Sequence, residues 1–207
     1  MKTILAILFC WMLNSLIITT VIDAFLMGVP RLCLSMKCQK KSFLIDKTNR
    51  IEFQHGCQCS GFSTAYVLRH WGVEENGNRL YEMMPNKMRS GLVYPKGIRK
   101  LLARYGFKAK YRIGNVTALK NEVSKGNPAI VMIRVRAGEN WLHYVPVVGY
   151  DERYVFLAES LEEFVNQEGQ CCNRKVETKE FVRLWNTSML WMPLYRNTFF
   201  TVSTAAR

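Results

Sequence analysis

Several absences set the first limits. The chain has only three histidines in 207 residues, so any imidazole chemistry must come from His55, His70 or His143. Acid is scarce, with 16 Asp and Glu against 29 Lys and Arg, which leaves a net charge of +13 and favours anionic partners or an anionic membrane surface. The seven cysteines are odd in number and show no evenly placed pairs, which argues against a secreted disulfide scaffold. The close pairs Cys57/Cys59 and Cys171/Cys172 lack the two-residue gap and the spaced histidines of a zinc site. Nucleic-acid motifs are missing, and the aromatics do not interleave with a basic stripe. Internal repeats and low-complexity tracts are absent too. With 49% hydrophobic and 22% charged residues, bulk disorder is excluded and a folded core is expected.

What is present begins with a long apolar run. Ile4 to Ile22 carries no charge and is long enough to cross a hydrocarbon core. The residues near Asp23-Ala24-Phe25 match a signal-peptidase site poorly, so an uncleaved single-pass anchor is expected over residues 1–29, with a cleaved signal peptide as the alternative. Lys2 flanks one end, whereas Arg31, Lys37, Lys40 and Lys41 flank the other. The positive-inside rule then puts the rest of the chain in the cytoplasm, where thiols stay reduced; an extracellular domain is the other possibility. Of the +13, residues 1–41 account for +4 (five bases, with Asp23 as the one acid), leaving +9 for the remainder. Residues 30–49 read as a basic linker and 50–207 as the folded domain.

Within that domain, Phe62, Ala65, Tyr66 and Arg69 recur at helical spacing after Cys59, and Gly72 ends the run. Cys59 therefore opens a helix, where unpaired N–H groups and the macrodipole favour a thiolate, as a nucleophilic cysteine needs. The competing reading is a buried structural cysteine. Further helices are predicted over 80–84, 95–105 between Pro95 and Gly106, 117–124 with Thr117 as cap, and 177–185 with Thr178 as cap. Continuous β-branched runs predict strands at 128–135, 143–150 and 154–158, and Leu190–Tyr195 reads as an edge strand because of Pro193. Helices first and antiparallel strands after them define an α+β domain.

His143 opens a buried strand, a position that fixes an imidazole yet leaves it reachable, as a general base requires; a satisfied core histidine is the bland alternative. His70 lies about three helical turns from Cys59, too far to reach it, and His55 sits in a loop. Folding back at Asp151-Glu152 brings residue 159 beside 143 or 144, which makes Glu159 the candidate to orient the ring, with Asn166 and Asn173 in reserve. Gln54 is a candidate oxyanion donor with the backbone N–H of Cys59, and Gln58 competes for that role.

The ordered set of Gln54, Cys59 opening a helix, His-Tyr-Val-Pro-Val-Val-Gly-Tyr-Asp from His143, and Leu-Ala-Glu-Ser ending at Ser160 resembles papain-like cysteine peptidase domains. The branch is the one that cleaves double-glycine leaders from bacteriocin precursors (cysteine peptidase family thirty-nine), and stand-alone bacterial members with a membrane segment are the nearest in layout. The resemblance spans about residues 50–195. It implies a papain-like fold, a peptide or protein substrate, Cys59 as nucleophile, His143 as base, Glu159 as the acid and Gln54 as oxyanion donor, with no metal or organic cofactor. Three positions depart from the family pattern: Glu159-Ser160 stands where Asp-Pro is usual, Gln58 where an acid usually precedes the nucleophile, and Gln54 five residues before the cysteine instead of six. These departures keep a catalytically silent peptide-binding module as the rival expectation. Relatives of this kind often join a transporter; this chain, ending at Arg207, encodes no ABC-type transporter parts.

Overall fold

The structure is a computed structural model that describes residues 2–189 and 192–204. It opens with helix α1 (Lys2–Met27), almost wholly exposed until Asp23 and Met27 bury against the domain. The domain contains strands β1 (Arg31–Cys33) and β2 (Phe43–Leu44), helices α2 (Cys59–His70), α3 (Gly77–Met83) and α4 (Pro95–Arg104), and strand β3 (Phe107–Gly114). Helix α5 (Val116–Val123) follows, then strands β4 (Ala129–Arg134), β5 (Leu142–Tyr150), β6 (Tyr154–Leu157) and β7 (Arg174–Glu177), helix α6 (Thr178–Trp185) and strand β8 (Thr198–Thr204). Single 3₁₀ turns occur at Glu162–Phe164 and Pro193–Tyr195.

The strands form one sheet in the order β1-β3-β8-β4-β5-β6-β7, with β2 paired to β5. Every pairing is antiparallel except β1 with β3. Both faces of the sheet are covered, which is why β4 reads as an unbroken apolar run. Alternation along β4 sends Ile130 and Met132 to a core shared with α2, α3 and α4, where Leu68, Leu80 and Leu101 are fully buried. Ala129, Val131 and Ile133 face the opposite core, built with Leu119 and Val123 of α5 and Phe181, Leu184 and Trp185 of α6.

Four local expectations change. Residues 30–49 are not a free linker: they add β1 and β2 to the sheet and bury Ile45 and Asn49. The caps of α5 and α6 move. Asn115, not Thr117, accepts from the Ala118 N–H at 2.9 Å. Thr178 is the first helical residue and its N–H donates to the Arg153 carbonyl. The expected edge strand falls partly on Leu190 and Trp191, outside the described residues, and Pro193–Tyr195 forms a 3₁₀ turn; the strand near this end is β8, seated between β3 and β4.

Helix α2 is buried along its whole length. Its sequence permits this through Ser63, whose Oγ donates to the Tyr144 carbonyl on β5 at 2.7 Å, and Thr64, whose Oγ1 returns to the Ser60 carbonyl. A close approach to α3 is set by Gly61. A Cβ there would run into the Gly77 carbonyl oxygen and the backbone of Tyr81. Helix α2 is thereby clamped between the sheet and α3 with its N-terminus at one fixed point.

Candidate active site

That N-terminus carries Cys59, which is 4% exposed. The N–H groups at the start of an α-helix lack partners within it, and at α2 the Gly61 N–H donates to the carbonyl of the cap residue Gln58 at 2.9 Å. Cys59 lines a cleft of about 860 Å³ whose walls also include Gln54, Cys57, Trp141 and His143. His143, the second residue of β5, is held in the sheet opposite Ile133 of β4 and is 2% exposed. Its imidazole shares that cleft with the Cys59 thiol, near enough for the sulfur to act on the ring's charge, and its Nε2 lies 2.7 Å from Glu159 Oε1. The structure thus brings together Cys59, His143 and Glu159, three residues drawn from a helix, a strand and the chain just past β6.

Glu159 is fully buried and fully partnered. Its Oε1 accepts from the Leu161 N–H at 2.8 Å as well as facing His143, and its Oε2 accepts from Arg174 Nη1 at 2.7 Å. Its backbone is gripped by Asn173, whose Oδ1 accepts from the Glu159 N–H at 2.7 Å and whose Nδ2 donates to the Glu159 carbonyl at 2.9 Å. Burial alone would raise the carboxyl pKa, but His143, Arg174 and the Leu161 N–H outweigh it and hold it at about 2. Burial likewise opposes charge on His143, and the Glu159 carboxylate with the thiol overrides it, lifting the imidazole pKa to about 10. The buried carboxylate thus favours the charged form of the imidazole.

The expected pairing of residue 159 with 143 or 144 needs adjusting. A bulge at Val148 shifts the β5–β6 register between Val147↔Leu157 and Gly149↔Phe156. Carried two residues on from Leu157, the register sets Glu159 opposite Val145, diagonal to His143. Diagonal neighbours lie farther apart than direct ones and need a longer side chain. The Glu159 side chain spans that distance, its Oε1 reaching His143 Nε2 at 2.7 Å.

Gln54 lies at the cleft but is engaged elsewhere. Its Nε2 donates to the Gly56 carbonyl at 2.6 Å, its Oε1 accepts from Ser160 Oγ at 2.7 Å, and its N–H donates to the Ser160 carbonyl. One amide hydrogen remains for another acceptor. Gln58 accepts from the His55 N–H and does not line the cleft. His70 is buried at the far end of α2, and His55 stays on an exposed loop. Asn166 braces the loop by bonding to both N–H and carbonyl of Lys175, whereas Asn173 supports Glu159 without touching the ring.

Arg174 escaped the sequence reading. Its only signal is period two: Arg174 and Val176 point inward from β7 while Lys175 and Glu177 point out, so an inward arginine must have met a buried acid. At the rim, Arg136 and Glu163 pair at 2.8 Å between the β4–β5 loop and the 3₁₀ turn.

A cysteine at the head of a buried helix, a histidine on the facing sheet and an acid behind it belong to the papain-like cysteine peptidase fold. Among solved structures, the peptidase domain of Streptococcus ComA, a bifunctional ABC transporter, superimposes with a TM-score of 0.59 at 15% identity, over 76% of this chain and 99% of that one. A putative C39-like peptidase from Bacillus anthracis gives 0.59 at 16% identity, over 80% and 100%. A cysteine protease of Carica candamarcensis bound to E-64 gives 0.57 at 12% identity, over 80% and 99%. No curated protein sequence matches the chain. The family profile described as Peptidase_C39 like family matches residues 45–189, and the chain belongs to that family.

Proposed function

We propose that the chain is a membrane-anchored cysteine peptidase that cleaves a peptide bond through an acyl-enzyme on Cys59. One observation carries the reading: a cleft in which the Cys59 thiol meets an imidazole whose far nitrogen is held at 2.7 Å by a buried carboxylate. Cys59 attacks as the thiolate, and its sulfur bonds the substrate carbonyl carbon. The oxyanion meets the N–H of Cys59 and the spare amide hydrogen of Gln54. His143 gives its proton to the leaving amine as the C–N bond breaks. The neutral ring then takes a proton from water, hydroxide displaces sulfur from the thioester, and the acid product leaves. Glu159 keeps the ring in plane throughout and offsets its charge.

We assign cleavage to the bond after a pair of small residues. Support comes from the similarity to a double-glycine-motif protease of an AMS/PCAT transporter, solved with its leader peptide (TM-score 0.52, 18% identity, over 76% of this chain and 92% of that one). We place α1 across the membrane once, with the domain on the cytoplasmic side. A run of mean hydropathy 2.2, the basic residues after it and seven unbridged cysteines support that placement.

The test uses the full chain in detergent with fluorogenic peptides that differ only in the two residues before the scissile bond. Hydrolysis after Gly-Gly that disappears in Cys59→Ala is the expected result. Hydrolysis that persists in Cys59→Ala overturns the mechanism. Equal cleavage after bulky pairs overturns the specificity alone.

A further inference from the structure

The active-site cleft is not the only concave surface. A second cavity, of about 740 Å³, lies where α1 joins the domain, between Ala24, Phe25 and Gly28 on one side and α4 with the start of β3 on the other. Its position follows from how α1 is used. From Lys2 to Ile22 the helix lies outside the domain core, with large apolar side chains such as Ile4, Phe9, Trp11 and Ile22 exposed. At Asp23 and Met27 it becomes buried, and Met27 joins the core with Leu101 and Leu102. The free stretch of about 21 residues spans about 31 Å, close to the hydrocarbon thickness of roughly 30 Å. A helix so divided puts residues 24–28, and the domain surface beside them, at the depth of the lipid headgroups.

That surface is cationic. Lys96, Arg99, Lys100 and Lys108 line the cavity, and among the described residues no Asp or Glu does. Among the described residues none of the four belongs to an ion pair, although Arg50, Arg69, Arg136, Arg153 and Arg174 all do. Two of them are already turned to the foot of the helix. Lys96 Nζ lies 4.6 Å from the centre of the Phe25 ring and 3.4 Å from the Phe25 carbonyl oxygen. Arg99 reaches Gly28, where an added Cβ would stand 2.8 Å from its Nη1. Gly28 takes a φ of +80°, which turns the chain off the helix and leaves room for the guanidinium. Asp23 is buried and does not line the cavity. Four like charges gathered in one concave surface repel one another until an anion enters.

We propose that Lys96, Arg99, Lys100 and Lys108 bind the phosphate headgroups of anionic phospholipids and hold the domain against the bilayer at the foot of α1. The proposal rests on reading α1 as a membrane anchor and is independent of the peptidase chemistry. Juxtamembrane basic groups gain from an anionic leaflet over roughly one Debye length, about 8 Å at physiological salt, and these groups lie within the headgroup layer itself.

The full chain is reconstituted into nanodiscs of phosphatidylcholine, or of phosphatidylcholine with phosphatidylglycerol, and probed with an amine-acylating reagent read by mass spectrometry. Lys96, Lys100 and Lys108 are expected to react several-fold more slowly in the anionic discs. Exposed Lys179 on α6 serves as internal standard, and high salt should restore the rates. The double substitution Arg99→Gln/Lys100→Gln, at two exposed positions, should remove most of the protection at Lys96 and Lys108. Equal rates in the two discs, for a chain shown by α1 protection to be inserted, overturn the proposal. A chain that does not insert removes its premise and overturns it too, leaving hydrolysis by Cys59 untouched. Inorganic phosphate that protects equally in neutral discs would assign the cavity to a free anion and reject the lipid.

Discussion

Replacing Arg174 by Met tests whether the buried ion pair behind the histidine holds the site in working order. Arg174 Nη1 is 2.7 Å from Glu159 Oε2, with the two side chains 9% and 0% exposed, and its guanidinium packs over the Phe164 ring at 4.7 Å. Met keeps the apolar stem and loses the charge. Removing one member of a buried pair costs about 3–5 kcal/mol when the other is left alone. Glu159 is not alone, since His143 and the Leu161 N–H remain, so the lower end, about 3 kcal/mol, is expected. For a chain of this size that corresponds to a fall of roughly 6–12 °C in the unfolding midpoint. The pH dependence should move as well. A carboxyl held at about 2 contributes stability that is present above its unfolded value and lost as pH falls through about 2. Without Arg174 the carboxyl moves back toward its ordinary range, so the acid limb of hydrolysis and of stability shifts to higher pH. The assays are thermal unfolding and a pH–rate profile on the full chain in one detergent. Superimposable midpoints and acid limbs for Arg174→Met and the parent chain would refute the reasoning.

Two further outcomes follow from the same geometry. The imidazole raised to about 10 contributes stability that is full below its unfolded pKa of about 6.5 and is lost as pH rises through about 10; the unfolding midpoint should fall by several degrees between those limits, and His143→Ala should flatten that slope. Gly61→Ala pushes a methyl group against the Gly77 carbonyl oxygen and Tyr81, backbone that cannot yield. It should cost about 1–3 kcal/mol and lower hydrolysis by displacing Cys59, both measurable on the same samples.

Much of this was legible in the sequence because the site residues sit at element ends marked by strong local signals. Cys59 precedes a run with helical period, and His143 precedes a β-branched run, so local pattern alone places both. Glu159 followed from folding the chain at Asp151-Glu152, although the bulge at Val148 was invisible and moved the pairing by one to two positions. The papain-like α+β class held because the order of helices and strands survives such errors. Strands β3, β7 and β8 were missed for different reasons. In β3, Lys108, Lys110 and Arg112 dilute the apolar signal, and β7 has only four residues. Strand β8 lies at the end of the chain, and its central position depends on pairing with β3 and β4 over long sequence separations. The docking of residues 31–45 was hidden because basic, irregular segments become strands only when a sheet edge is offered to them.

The most direct test of the central claim is the rate at which each of the seven free thiols reacts with iodoacetamide in the folded full chain at mild pH, followed by peptide mapping. The account predicts that Cys59 is alkylated faster than an unfolded thiol in spite of its burial, that its loss and the loss of hydrolysis follow one time course, and that His143→Ala abolishes the advantage. Cys59 reacting no faster than an unfolded thiol, with hydrolysis persisting after it is blocked, would contradict it and leave a papain-like domain that binds peptides without cutting them.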